Sequence, residues 1–305
     1  MSDETATLDV STDPDAIELD RVVIRMAGDS GDGMQLTGGQ FTQATALAGN
    51  ELATFPDFPA EIRAPTGTTF GVSSFQINFG ARRVKTSGDA IDVLVAMNPA
   101  ALKVELAGVR NGGVIIADVG SFTDRNIKRA GFAENPLKDK TLDGYRVIEI
   151  DMSALTMEAV KESGLGKKEA LRSKNLWTLG LVYWMYGRDR QPTIDWLTGK
   201  FAKRPDIAAA NIAALNAGHA FGETAELDGD MPSYTVPTAE IAPGEYRTVS
   251  GGEALAWGLV AGSHKAGLEV MFGSYPITPA SPLLHILSGL KQYGVVTFQA
   301  EDEIA

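Results

Sequence analysis

The sequence predicts an α/β fold with a mostly parallel sheet. Three observations carry this: short β-rich runs alternate with helix-like stretches, glycine-rich turns join strand to helix, and the alternation restarts after residue 250. A chain of 305 residues is long enough for two domains.

The elements follow in order. RVVIRMA (21–27) is a β-rich run that meets GDSGDG (28–33) and then MQLTGGQFTQATALAG, which is helix-like. FPDFPAEIRAPTGTT (55–69), rich in Pro, Thr and Gly, reads as a loop. In GVSSFQINFG (71–80), Phe75, Ile77 and Phe79 alternate with Ser74, Gln76 and Asn78, the pattern of a half-buried strand. IDVLVAMN (91–98) is a buried strand, and PAALKVELAGVRNGG reads as a helix with Pro99 near its start and glycines at its end. GGVIIADVG and YRVIEIDM are two further strands. The region 169–222 reads as helices, among them LWTLGLVYWMYG, apolar all round and therefore buried. After a proline-containing stretch come a small-residue helix (GGEALAWGLVAGSHKAG) and a strand running into a proline-rich turn (LEVMFGSYPITPAS). In SPLLHILSGLKQYG, Ser281 suits the N-cap, Pro282 the first helical position and Gly294 the stop. VVTFQ is a strand, and AEDEIA begins something new. The expected organisation is an acidic disordered tail at 1–19, a domain at 20–222, a linker at 223–249 and the start of a second domain at 250–305. Two strands and two helices do not close a sheet domain, so a longer protein or a completing partner chain is expected.

Composition removes several functions. The net charge of −12 argues against a nucleic-acid partner. No run of 18 apolar residues is present and the N-terminus has no secretory pattern, so a cytoplasmic location without a membrane span is expected. Cysteine is absent, and His219, His264 and His285 lack ligand spacing, so no metal site is expected in this chain.

Three stretches could carry chemistry. GDSGDG follows a strand and opens a helix, the context of a phosphate-binding turn, but Asp29 and Asp32 would repel phosphate and a tight βα turn also needs small residues. In YPITPAS (275–281), Pro276 and Pro279 bracket Thr278, which either fixes a hydroxyl against a ligand or merely sits in a rigid connection. In QAEDEIA, Glu301, Asp302 and Glu303 follow a strand. They are either helix-start acids complementing the dipole or a carboxylate facing a cofactor.

Taken together these stretches resemble the 2-oxoacid:ferredoxin oxidoreductases, whose pattern of glycine-rich helix, YPITPS and an acidic motif after a strand matches 251–305 nearly throughout. Residues 20–222 resemble the family's gamma domain, which opens with a strand and GxGGQG and later carries ExR; here these read GDSGDG and EIR (61–63). Ser30 stands where glycine is usual, Asp32 where glutamine is usual, and Ala280 replaces a common serine. Gamma followed by alpha in one chain resembles fused large subunits, several of which favour 2-oxoglutarate. The resemblance implies a second domain that begins an α/β thiamine-diphosphate pyrimidine-binding domain, with the cofactor shared with a beta subunit. That subunit would hold Mg²⁺ and a 4Fe–4S cluster. It further implies oxidative decarboxylation of a 2-oxoacid to acyl-coenzyme A, with electrons passing to ferredoxin, in an (alpha–beta)2 assembly, and no activity for this chain alone. By motif position Glu303 bonds the aminopyrimidine, and Thr278, with Pro279 beside it, lies near the thiazolium and substrate. Gly28, Ser30, Gly31, Gly33 and Arg63 are candidate coenzyme A contacts. Two other readings compete: a dinucleotide-binding oxidoreductase built on the 28–33 loop, and a non-catalytic scaffold sharing the fold.

Overall fold

The computed structural model describes residues 16–59, 71–227, 231–278, 280–302 and 304–305. The chain divides into two compact units, Met1–Ile241 and Ala242–Ala305.

The first unit contains β1 (Ile17–Glu18), β2 (Arg21–Asp29), α1 (Met34–Leu47), β3 (Glu51–Asp57), β4 (Val72–Gly80), β5 (Ile91–Ala96), α2 (Pro99–Glu105), β6 (Val109–Asp118), α3 (Asp124–Arg129) and β7 (Arg146–Ile150). It continues with α4 (Met152–Ala159), α5 (Lys167–Ala170), α6 (Lys174–Met185), α7 (Gln191–Lys200), α8 (Pro205–Leu227) and β8 (Tyr234–Thr235). Six strands form one sheet in the order β3-β4-β2-β5-β6-β7. β4 pairs antiparallel with both neighbours while β2, β5, β6 and β7 pair parallel, so β4 alone runs against the rest and the expected mostly parallel sheet is present. The sheet is covered on both faces. Ile24, Met26, Phe75 and Ile77 pack under α1, α6 and α8, and Leu94, Ala96, Ile115 and Ala117 pack under α2 and α3. Burial on both faces is why β5 and β6 read as continuous apolar runs.

Four readings of the first unit need correction. Residues 55–57 belong to strand β3 and not to a loop. β3 is an edge strand, so the N–H that Pro56 lacks is needed on one side only. Strand β4 is buried on both faces: Ser74, Gln76 and Asn78 are each less than 5% exposed. The segment 81–90 covers this polar face, and Gln76 Nε2 donates to the carbonyls of Ser87 and Gly88, both at 2.7 Å, while Asn78 Nδ2 donates to Thr86 at 2.8 Å. Helix α2 stops at Glu105, and VRNGG is already strand β6 with a register irregularity opposite Ile91–Val93. The stretch assigned to a linker is partly folded. α8 runs to Leu227, and Tyr234–Thr235 pairs parallel with Ile17–Glu18, residues expected in a disordered tail. Met231, Val236 and Ala239 are buried, and Asn50 Nδ2 holds the Pro237 carbonyl at 2.7 Å.

Under α2 the polar face of β4 meets a charge cluster in which Glu105 is buried and Asp57 is open to solvent. Arg25 Nε lies 2.9 Å from Glu105 Oε2, its Nη2 lies 2.8 Å from Asp57 Oδ2, and its Nη1 donates to Gln76 at 3.1 Å. Burial pushes the Glu105 carboxyl above its ordinary range, against the pull of Arg25. Arg25→Met would leave Glu105 buried without its cation, which should cost about 3 kcal/mol or more at neutral pH. A carboxyl raised in the folded state stabilises below its unfolded value and loses that contribution as pH rises through the folded one, so the deficit should widen with pH. Urea melts at about pH 5 and pH 8 check this. A deficit equal at both would show that Glu105 is not its source.

The second unit contains α9 (Gly251–Ala266), β9 (Val270–Ser274), α10 (Ser281–Ser288) and β10 (Val295–Gln299). α9 opens with a capping box in which Ser250 and Glu253 bond reciprocally, and it closes on Gly267 in the left-handed region. β9 and β10 pair parallel over their whole length, and Val270, Phe272 and Val295 pack with Ala256, Val260 and Leu287. Ser281 is not an N-cap. Its N–H bonds Ile277 O at 2.9 Å, and Ala280 takes the cap position. Gly294 ends a later 3-10 turn, since α10 stops at Ser288.

Candidate functional site

In the first unit the chain leaves β2 through α1 toward β3, and leaves β5 through α2 toward β6 on the other side. The strand order therefore reverses between β2 and β5, and the crevice outside their C-terminal ends is where ligands bind in such sheets. Asp29 lines one wall and Asn98–Pro99 the other. Asn98 bridges the two: its Oδ1 caps α2 through the Ala101 N–H at 2.9 Å, and its Nδ2 donates to Asp29 Oδ1 at 2.8 Å. Burial, followed by the nearby Asp32, raises the Asp29 carboxyl above its usual range.

The glycine turn closes on itself. The Asp32 N–H bonds Asp29 O at 2.9 Å, and the Asp29 N–H bonds the Asp32 carboxylate at 2.9 Å. A side chain at Gly28 would meet Asp32 Oδ2 at 2.7 Å and Met97 Cβ at 3.2 Å. Gly33, the cap residue of α1, has φ +76 and abuts the Asn175 amide, so glycine is required there twice over. Ser30 and Gly31 lie exposed at the tip. Gly28, Ser30, Gly31 and Gly33 thus share one turn, and Arg63 lies outside the described residues.

Beside the turn lies a second cavity lined by Gly31, Asp32, Lys168, Arg172, Lys174 and Asn175, with Leu171 at its wall. Lys174 is nearly buried and its ammonium sits 2.8 Å from Asp118 Oδ2, at the end of β6. Asp118 is fully buried and also accepts from Ser121 Oγ at 2.7 Å and Ser153 Oγ at 3.1 Å. Sequence reasoning passed over these cations. The signal was KKEALRSK (167–174), with Lys167, Lys168, Arg172 and Lys174 in a chain of net charge −12.

In the second unit the two remaining stretches come to one edge. Because β9 and β10 run parallel with Ser274 opposite Gln299, and Ala300 N donates to Ser274 O at 2.8 Å, 275–278 and 300–302 leave the sheet side by side. Thr278 is exposed in the turn ahead of α10. Asp302 Oδ1 accepts the N–H groups of Ile304 and Ala305 at 2.9 and 3.1 Å, the work of a helix-start acid. Pro279 and Glu303 lie outside the described residues. Among the described residues no group of three or more His, Asp and Glu could hold a metal, and no helix is long and apolar enough to cross a membrane.

Comparison with known proteins finds relatives along as much as 95% of the chain. The family model described as pyruvate ferredoxin/flavodoxin oxidoreductase matches residues 23–221. The 2-oxoglutarate oxidoreductase subunit KorA of Mycobacterium tuberculosis is 53% identical over 291 residues, which is 95% of this chain and 44% of that protein. The ketoisovalerate oxidoreductase subunit VorA of Methanothermobacter marburgensis is 27% identical over 204 residues, 66% of this chain and 36% of that one. The solved 2-oxoglutarate:ferredoxin oxidoreductase of Magnetococcus marinus, with 2-oxoglutarate, coenzyme A and succinyl-CoA bound, matches at TM-score 0.67 and 27% identity over 94% of this chain and 44% of its own. The chain thus spans less than half the length of these relatives. With the family model matching 23–221 and 53% identity along 95% of its length, the chain belongs to the pyruvate ferredoxin/flavodoxin oxidoreductase family.

Proposed function

We propose that this chain is part of the large subunit of a thiamine-diphosphate-dependent 2-oxoacid:ferredoxin oxidoreductase that acts on 2-oxoglutarate. The observation that carries the reading is the 53% identity to a 2-oxoglutarate oxidoreductase subunit along 95% of the chain. The first unit is the gamma-type domain, and the second begins the pyrimidine-binding domain. A beta subunit, carrying Mg²⁺ and a 4Fe–4S cluster, completes the cofactor site in an (alpha–beta)2 enzyme that passes electrons to ferredoxin in the cytoplasm.

The residues of the second unit fit the cofactor. Two parallel strands end together, and their C-terminal edge brings Thr278 and the 300–302 acidic stretch to one side. Thiamine diphosphate, when bound, supplies the electron sink for decarboxylating a 2-oxoacid. Glu303 would hold a proton at N1′ of the aminopyrimidine. Thr278 would orient the substrate with its hydroxyl, kept in place by the rigid turn between Pro276 and α10. In the first unit the crevice beside Gly28, Ser30, Gly31 and Gly33, with Arg63, would take coenzyme A as acyl acceptor. That assignment is supported by its place at the switch point of the sheet, and the Magnetococcus marinus structure holds coenzyme A.

The test is a substrate panel on the assembled enzyme with coenzyme A and a low-potential dye. Dye reduction should be fastest with 2-oxoglutarate, with kcat/KM at least about tenfold above pyruvate and 2-oxoisovalerate, a discrimination of about 1.4 kcal/mol. Equal rates, or preference for a branched-chain acid, would contradict the assignment.

A further inference from the structure

A row of three side chains crosses the first unit's sheet on the face under α2. Arg25 of β2, Gln76 of β4 and Phe55 of β3 stand opposite one another in register. α2 reaches Arg25 through Glu105, and the carbonyls of Ser87 and Gly88 hold Gln76. Phe55 lies on the edge strand and stays 49% exposed, with Thr54 and Pro56 exposed on either side of it. Between these walls opens a cavity of about 320 Å³, lined by Arg25, Phe55, Gln76, Asp89, Ile91 and Glu105. It lies over the middle of β2 and β4 and the start of β5, not at the strand ends that form the crevice.

The charge here is uneven. Glu105 and Asp89 line the cavity, Asp57 flanks it through Arg25, and Arg25 is the one cation among its described lining residues. That guanidinium is divided between Glu105 at 2.9 Å and Asp57 at 2.8 Å, and burial still pushes the Glu105 carboxyl above its ordinary range. Asp89 is exposed and has no ion pair among the described residues. Carboxylates at one end and an aromatic face at the other fit a long basic side chain, its charged head on the acids and its stem along the ring. A small free cation would fill the cavity but leave Phe55 and the exposed edge at 54–56 uncovered, whereas a polypeptide loop covers both.

We propose that this groove docks a basic side chain of the second subunit, its head between Asp89 and Glu105 and its stem on Phe55. The proposal rests on the reading that a second subunit completes the enzyme. Charge complementarity names the occupant, since three carboxylates stand here against one guanidinium.

Two measurements on the assembled enzyme test this. Carbodiimide with glycine ethyl ester labels accessible carboxylates, and peptide mass spectrometry locates the label. Asp89 should be protected in the assembled enzyme and labelled once the subunits are separated. Phe55→Ala/Asp89→Arg alters only exposed side chains, and it should raise the subunit dissociation constant, measured by sedimentation velocity, about 10- to 100-fold. A thermal melt checks that the variant is folded; should it melt early, the labelling of the wild-type enzyme decides alone. An unchanged dissociation constant in a folded variant, or free labelling of Asp89 in the intact enzyme, would overturn the docking site. Protection that persists in the separated large subunit would give the groove to another part of the same polypeptide and overturn it as well. If the large subunit alone binds thiamine diphosphate and turns over 2-oxoacid, the reading of a two-subunit enzyme fails first, and the docking site with it.

Discussion

Gly218→Ala should cost about 3 kcal/mol or more, lowering the melting temperature of the first unit by roughly 6–12 °C. The reason lies in how α6 and α8 cross. A Cβ at Gly218 would stand inside the van der Waals radius of the Trp177 carbonyl oxygen, and one at Gly180 would do the same to the carbonyl of Leu215. The two helices therefore touch backbone to backbone, and the obstacle is a rigid main chain that no rotamer change can clear. α6 cannot retreat either: Trp177, Leu179, Leu181 and Tyr183 are all buried within 1%, and Tyr183 packs against Phe41 of α1 and donates to the Gln40 carbonyl. Forcing the helices apart opens voids around these large side chains, and overpacking and cavity costs then add. Gly199→Ala is the control. It lies exposed in α7 with nothing within 4 Å of the added carbon, so it should be neutral or stabilise by about 0.5–1 kcal/mol through helix propensity. Equal melting of the Gly218→Ala and wild-type proteins would show that the helices do not meet this way.

This crossing shows what local pattern conveys and what it leaves out. That LWTLGLVYWMYG is a buried helix follows from its apolar circumference, and it is one. That Ala210, Ala214, Gly218 and Gly222, four residues apart, line the opposing helix could be read from the same sequence, but only once the partner helix is known. The strand–turn–helix rhythm of β2, α1, β5 and α2 and of β9, α10 and β10 was legible because each element carries its own period and its own glycine or proline punctuation. Polar residues misled where tertiary contacts overrode the period. Ser74, Gln76 and Asn78 look like a solvent face, yet in the interior the Arg25 guanidinium donates to Ser74 and Gln76, and the Gln76 and Asn78 amides donate to carbonyls of 86–88. Pro56 looks like a loop residue because nothing local tells an edge strand from a loop.

The candidate sites divide the same way. The glycine turn and YPITP are contiguous in sequence and could be located without coordinates. The cavity cations are legible as a charge run, but their position beside the turn depends on α6 docking with Asn175 against Gly33. The closure of the turn by Asp32 gives a physical reason for an acid where relatives of the resembled family place another residue: it completes the turn from within.

Glu303→Gln carries the other large effect, because the proposed function requires one carboxylate of QAEDEIA to face the cofactor. The structure already employs Asp302, whose Oδ1 takes two backbone N–H groups at 2.9 and 3.1 Å, a task that asparagine also performs. Glu301 is exposed at the strand end. The proposed function gives Glu303, by its motif position, the task of holding the N1′ proton, and glutamine in its place keeps the size while removing the charge that would fix that proton. The direct measurement is hydrogen–deuterium exchange at C2 of thiamine diphosphate bound to the assembled enzyme, quenched in acid and read by NMR. This reports the activation of the cofactor apart from substrate turnover. Glu303→Gln should slow the exchange about 10²–10⁴-fold, with Glu301→Gln and Asp302→Asn each changing it less than about tenfold. Exchange at the wild-type rate in Glu303→Gln, or Glu301→Gln proving the slow variant, would contradict the placement of this chain at the aminopyrimidine side of the cofactor.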